Sequence, residues 1–217
     1  MKKGMFITIE GGEGAGKSTL IERLAHTLQS KGHRVVTTRE PGGIPIAEKI
    51  RAVILDPGHT EMDARTEALL YAAARRQHLA EKVIPALCDG NVVICDRFVD
   101  SSLAYQGHAR GLGMKEIWAI NAFAIGEMMP ELTIYMDVSP EVGLARIARA
   151  SEREVNRLDL ERQSFHELVR EGYLQLAAEY PDRIHQVNAE QEPEDVFQQV
   201  LTIVNRCLEG IQGERVQ

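Results

Sequence analysis

Residues 7–19 read ITIEGGEGAGKST: an apolar, β-branched run, a glycine-rich turn, and the start of a helical pattern. Gly11, Gly16, Lys17 and Ser18 satisfy G-x-x-x-x-G-K-S in the strand–turn–helix setting that the pattern requires. Glycines free backbone N–H groups to converge on phosphate oxygens, and the following helix adds the positive end of its dipole. Lys17 reaches the outer phosphates and Ser18 ligates magnesium. The loop Gly11, Gly12, Glu13, Gly14, Ala15, Gly16, Lys17, Ser18 and Thr19 is therefore expected to hold a nucleoside triphosphate.

Around this loop, short apolar runs at 5–9, 34–38, 92–95, 132–137 and 183–188 alternate with helical periodicity over about 17–31, 45–55, 63–88, 98–106, 114–128, 140–150, 160–179 and 193–209. Strand–helix alternation predicts an α/β fold: a parallel five-stranded sheet flanked by helices, in one domain spanning 1–217. Residues 146–162, RIARASEREVNRLDLER, break the alternation with dense opposite charges and read as a mobile, solvent-facing insertion.

The net charge of −7 disfavours a nucleic-acid surface, although local basic clusters can still hold a small anion. Cys88, Cys95 and Cys207 form no C-x-x-C pair, so neither a disulfide framework nor a zinc site is indicated, and the seven histidines show no metal or triad spacing. The apolar stretch 4–9 after Lys2 and Lys3 is too short for a signal core, and no run matches a membrane span, so a cytoplasmic enzyme is expected.

A phosphate loop alone fits a switch GTPase, a motor or partition ATPase, or a small-molecule kinase. Neither N-K-x-D nor D-x-x-G occurs, against a GTPase. The run 92–95 ends in Asp96-Arg97, at the carboxyl end of a strand where open α/β sheets bind ligands. There Asp96 is suited to orient magnesium and Arg97 to clamp phosphate. Arg39 in TREPGG, Arg51 in IAEKIRAV and Arg75 in YAAARRQ fall in segments bordering the same crevice, which implies a second anionic substrate. Tyr71 and Arg75 share one helix face, as do Ser102 and Gln106, and with the phosphate loop these pairs suggest a pocket that reads a base.

The combination of EGGEGAGKST, TREPGG, Tyr71 to Arg75, DRFVDSSLAYQG and the late arginine-rich segment resembles thymidylate kinase over nearly the whole chain. It is similar to the bacterial form, whose catalytic arginines come from a lid and not from the phosphate loop, where this sequence has Gly14. The resemblance implies a P-loop NTPase fold with a mobile lid at about 146–162, transfer of the γ-phosphoryl of ATP to dTMP with Mg2+, and a homodimer. By the same resemblance Glu13 approaches the deoxyribose 3′-OH, and Arg39, Arg51 and Arg97 surround the acceptor phosphate. Tyr71, where the family usually has Phe, stacks on thymine; Arg75 bonds its O4, and Ser102 and Gln106 complete the base edge. Tyr105 crowds the sugar 2′ position.

Arg146, Arg149, Arg153 and Arg157 would line one face if the late insertion were helical. The resemblance assigns Arg149 and Arg153, with Lys17 and Arg97, to catalysis and Arg146 to the neighbourhood of adenine. Phosphoryl transfer to an acceptor already anionic needs alignment and charge neutralisation more than a general base. A kinase for another nucleoside monophosphate or deoxynucleoside, and a nucleotide-dependent switch ATPase, remain as alternatives. The run IWAINAFAIG at 117–126 fits core better than an interface.

Overall fold

The computed structural model describes residues 4–149 and 157–213. Strands β1 (Met5–Glu10), β2 (Val35–Arg39), β3 (Val92–Asp96), β4 (Leu132–Asp137) and β5 (Ile184–Asn188) form one parallel sheet in the order β2-β3-β1-β4-β5. The apolar runs read from the sequence are these strands. β1 and β4 are buried along their whole length, whereas the edge strands β2 and β5 are partly open to solvent. Because β1 pairs with β3 and β4 on its two sides, the loops leaving β1 and β3 emerge together at one edge of the sheet.

Helices α1 (Lys17–Ser30) and α9 (Pro193–Gly213) pack on one face through Leu20, Leu24, Leu28, Val200 and Val204. Among the remaining helices, α2 (Pro45–Leu55) packs beside α3 (Ala64–His78), and α3 beside α6 (Met114–Ile125). The periodicity over 63–88 splits into α3, a π-type turn Leu79–Val83 and α4 (Ile84–Cys88). Pro85 lacks an N–H and cannot continue the regular ladder, which accounts for the widened turn before it. A second π-type segment, Leu103–Ala109, extends the short α5 (Val99–Ser102). α7 (Pro140–Arg149) and α8 (Gln163–Glu179) flank residues 157–160, a 3-10 turn.

The expected solvent-facing insertion is corrected at both ends. Residues 146–149 complete α7, and Arg157 and Leu158 are buried. Arg157 donates from Nε to the Ile54 carbonyl at 2.9 Å and pairs with Glu67, so a partner carboxylate draws it inward, off any face shared with Arg146 and Arg149. The segment 117–126 is split: Ile117, Asn121, Ala124 and Ile125 are buried, while Trp118 and Phe123 are exposed.

Two constraints seat the phosphate loop. Gly16 caps α1 in the left-handed region, and Gly14, also at positive φ, meets Gly143 of α7 backbone to backbone. A Cβ on Gly14 would stand 2.1 Å from the Gly143 carbonyl oxygen, and one on Gly143 would stand 2.3 Å from that of Glu13. The second constraint is Glu10, buried at the end of β1. Its Oε1 accepts from the Phe98 backbone N–H at 2.7 Å, and its Oε2 accepts from Ser101 Oγ at 2.5 Å and Tyr173 Oη at 2.8 Å. Burial, and next the Asp100 charge, push the Glu10 carboxyl up to about 7.

Gly143→Ala is expected to destabilise the fold by about 2 kcal/mol or more, because neither backbone can withdraw without unseating the loop; urea denaturation measures it. For Glu10, the unfolded chain releases between pH 4.5 and about 7 a proton that the folded chain retains. Stability from this group is full below that window and is lost as pH rises through it, by about 3 kcal/mol. Glu10→Gln should flatten that pH dependence in urea melts.

Candidate active site

A cavity of about 660 Å3 opens where the loops after β1 and β3 meet, and Glu13, Gly14, Ala15, Gly16, Lys17, Ser18 and Thr19 form one wall. Lys17 Nζ folds onto its own loop, donating to the Gly11 and Gly12 carbonyls at 3.2 and 3.0 Å. Burial, and then the neighbouring Arg97 charge, lower its pKa. An ammonium so confined is poised for a polyanion, which supplies the charge its surroundings lack.

Facing the loop are Asp96 and Arg97, with Arg39 and Arg51 on the same cavity. Arg97 is one of the structure's few strained points: its φ is 68° without being glycine. Its N–H bonds the Ile9 carbonyl at 3.0 Å, and the next residue's N–H is taken by Glu10, so the turn is held from both sides. The guanidinium is aimed at Glu13, with Nη2 2.6 Å from Oε1; Nη1 lies 3.3 Å from Tyr173 Oη, and the group sits 4.9 Å from the centre of the Tyr105 ring. Burial works against the Arg97 charge, but Tyr105, Glu13 and the other acidic groups outweigh it and raise its pKa.

Arg39 holds both Glu48 oxygens, at 3.0 and 3.1 Å, from a half-exposed position. Arg51 donates to the Pro41 carbonyl at 2.9 Å; burial and then the charge of Arg39 lower its pKa. Three guanidiniums on one cavity, two of them repelling each other, make a receptor for a second anion. Tyr71 completes this wall. Its hydroxyl is buried, and burial, followed by Glu67, raises its pKa.

Asp96 fits a divalent cation by one direct observation: its Oδ1 is buried and has no hydrogen-bond partner among the described residues. The Ser18 hydroxyl lines the same cavity. Two hard oxygen donors suit magnesium that arrives with phosphates and keeps several waters. Among the described residues no group of three or more His, Cys, Asp or Glu side chains is placed to hold a metal.

A smaller pocket of about 260 Å3 continues from Gly14, Gly16 and Thr19 to Ala189, Gln191 and Phe197. Arg146 borders both cavities and donates to the Ala189 carbonyl at 3.0 Å. Arg146, expected beside a base, thus lies where the two cavities meet.

Other expected residues are placed differently. Arg75, only 1% exposed, does not line the cavity: Nε donates to Glu40 at 2.7 Å, Nη1 to Ser102 Oγ at 3.0 Å and to Asn121, and Nη2 to the Phe98 carbonyl at 2.9 Å. Four of its five N–H groups are thus bound by protein, and Arg75 and Ser102, both expected at a base edge, bond each other. Gln106 donates to Glu67 at 2.8 Å, and the Tyr105 hydroxyl lies 3.4 Å from Glu13; both side chains are buried off the cavity wall. Arg149 is exposed at the end of α7, away from the cavities, and Arg153 lies outside the described residues.

Sequence reasoning missed the groups that hold the site from behind. Glu40 accepts from Arg75 and meets His78 Nδ1 at 2.9 Å, and His78 Nε2 reaches Thr38 Oγ1 at 2.7 Å. A carboxylate between an apolar strand and Pro41 was a visible signal. Glu67 and Tyr173 gave none, since each reads as an ordinary helix position.

The family model for thymidylate kinase matches residues 9–200. The thymidylate kinase of Clostridium novyi is 59% identical over 200 residues, covering 92% of this chain and 98% of that protein. That of Geobacillus thermodenitrificans is 59% identical over 207 residues, covering 95% and 92%. The crystal structure of thymidylate kinase from Ehrlichia chaffeensis superposes with a TM-score of 0.75 at 30% identity, covering 94% of this chain and 99% of that one. That neighbour and this chain share the P-loop NTPase fold, which in this chain is five parallel strands flanked by helices. By the extent of these matches and the site they span, the chain belongs to the thymidylate kinase family.

Proposed function

We propose that this protein transfers the γ-phosphoryl group of ATP to dTMP, giving dTDP and ADP. The observation that carries the reading is the meeting of Lys17 and the glycine loop with Arg39, Arg51, Arg97 and Tyr71 on one cavity. One side is built for a triphosphate; the other takes a second phosphate with an aromatic wall beside it.

ATP lies with its phosphates in the loop and adenine in the pocket by Arg146. The dTMP phosphate sits among Arg39, Arg51 and Arg97, and thymine packs on Tyr71. Glu13, fixed by Arg97 and close to Tyr105, borders the sugar; the Tyr105 ring favours deoxyribose by filling space at the 2′ position. Arg75 keeps one unspent N–H for thymine O4 while its other bonds lock its orientation, so it serves as strut and donor together. Ser18 and Asp96 would hold magnesium, which would supply charge neutralisation at the phosphate oxygens. Lys17, Arg97 and the lid arginines Arg149 and Arg153 stabilise charge on the transferred group. No general base is required, because the acceptor oxygen is already anionic.

The same reading places the protein in the cytoplasm as a homodimer. Leu69 on α3 and Trp118 and Phe123 on α6, two helices packed together, leave an apolar patch that suits a second copy; Phe123 is 91% exposed.

ADP formation with ATP and magnesium should depend on dTMP, fall with dUMP, and nearly vanish with the ribose form, dCMP or no acceptor. Acceptor-independent ADP release overturns the transfer reading. Arg153→Ala should lower kcat by about 10³-fold while changing the KM for dTMP by only a few fold; equal losses in both would remove Arg153 from catalysis.

A further inference from the structure

Tyr173 lies on α8, far along the chain from the phosphate loop, and lines neither of the cavities described above. Its hydroxyl nonetheless reaches the place where the loops after β1 and β3 meet. Oη donates to Glu10 Oε2 at 2.8 Å, lies 2.9 Å from Ser101 Oγ, and accepts from Arg97 Nη1 at 3.3 Å. The ring is buried. It stacks on Tyr135, with centres 4.9 Å apart and planes at 19°, and meets Tyr105 edge to face at 6.3 Å and 82°. A ring packed on two sides cannot swing, so packing sets the position of Oη before any hydrogen bond is counted.

A phenol has one hydrogen to give. With Glu10 ionised, both of its oxygens can only accept: Oε1 from the Phe98 N–H, and Oε2 from Ser101 Oγ as well as Tyr173 Oη. The Tyr173 hydrogen is thereby committed to Glu10, and lone pairs on Oη are left for Arg97. The other end of the Arg97 fork is held by Glu13, Nη2 to Oε1 at 2.6 Å, and its carbon lies 4.9 Å from the centre of the Tyr105 ring. A single contact would leave the guanidinium free to pivot; contacts at both terminal nitrogens, with a ring against the group, define its plane. Arg97, unlike Tyr173, does line the larger cavity, so that plane is presented to whatever the cavity holds.

We propose that Tyr173 is a positioning residue for the acceptor phosphate: its hydroxyl, oriented by Glu10, holds Arg97 Nη1 and so fixes the guanidinium in the direction that meets a phosphate monoester. The inference rests on the dTMP reading above, in which Arg97 is one of three arginines around that phosphate. It gives Tyr173 itself no contact with substrate. α8 thus contributes to phosphate recognition from behind Arg97. The hydroxyl is what the role requires, because Phe would keep the ring contacts and leave Nη1 without this acceptor.

The experiment measures calorimetric affinities for dTMP and for thymidine, which has the same base and sugar without the phosphate. Wild type, Tyr173→Phe and Tyr135→Phe are compared at a pH above the Glu10 titration. Tyr135→Phe is the matched control: it also removes one buried phenol hydroxyl, from the ring stacked on Tyr173, but that hydroxyl bonds Asp137 at 3.1 Å and not Arg97. Tyr173→Phe should weaken dTMP binding about tenfold, the scale of a lost bond to a charged group, and leave thymidine binding unchanged. The preference for dTMP over thymidine then falls by the same factor, and kcat/KM for dTMP falls with it. Tyr135→Phe should lose stability in thermal melts and keep the wild-type preference. An unchanged preference in Tyr173→Phe, an equal loss for both ligands, or the same fall in both variants overturns the proposal and leaves Tyr173 a core residue. Should Tyr173→Phe fail to fold, 3-fluorotyrosine introduced at position 173 keeps the ring and the hydroxyl but makes Oη a poorer acceptor. A smaller fall in the preference supports the proposal, and an unchanged one overturns it. Wild-type protein that binds thymidine as tightly as dTMP overturns the phosphate reading of Arg97 itself, which separates the two failures.

Discussion

The site depends on one buried carboxylate that joins the ends of two neighbouring strands. Glu10 closes β1, and its Oε1 holds the Phe98 N–H at 2.7 Å, immediately after the strained Arg97. A non-glycine residue in the left-handed region persists only where surrounding bonds over-determine it. Here Ile9, Glu10 and Tyr173 do so, and the reward is direction: the Arg97 head faces Glu13 across the mouth of the phosphate loop. The buried charge carries a desolvation cost, visible in the raised pKa of Glu10, and three hydrogen bonds offset part of it.

The electrostatics of the chain invert between scales. The whole molecule is acidic, at −7, yet the cavity gathers Lys17, Arg39, Arg51 and Arg97. Each cation has an acceptor within the protein: Lys17 on loop carbonyls, Arg39 on Glu48, Arg51 on Pro41 and Arg97 on Glu13. Such contacts offset the like-charge repulsion within the cavity while leaving its cations to exchange partners for phosphate oxygens. The exchange is easiest at exposed Arg39 and hardest at Arg97, whose aromatic and acidic neighbours hold it in place.

A second tier of buried polar groups gives the site its shape without bordering it. Glu40 binds Arg75 and His78, Glu67 binds Arg110 and Arg157, all from other segments, and Arg75 spends most of its donors on protein. The two π-type turns lie in or beside this tier, at Leu79–Val83 after the helix carrying Arg75, and at Leu103–Ala109 around Tyr105 and Gln106. Widened helical turns re-aim side chains that a regular helix would turn away, which is their usual place near functional sites.

Local spacing determined the strands, the helix starts and the phosphate loop, because strand periodicity, proline at Pro140 and Pro193, and the glycine–lysine pattern are properties of neighbouring residues. It also picked out Asp96-Arg97, since a strand end is itself a local feature. What each charged side chain touches was decided only in three dimensions. Arg75 and Arg157 read alike in sequence as arginines of a binding face, yet Glu40 lies 35 residues from one and Glu67 lies 90 from the other, and these distant carboxylates hold both arginines inside. A guanidinium bonds whichever acceptor the fold brings within reach, so its spacing along the chain cannot say whether it meets a substrate or a buried carboxylate.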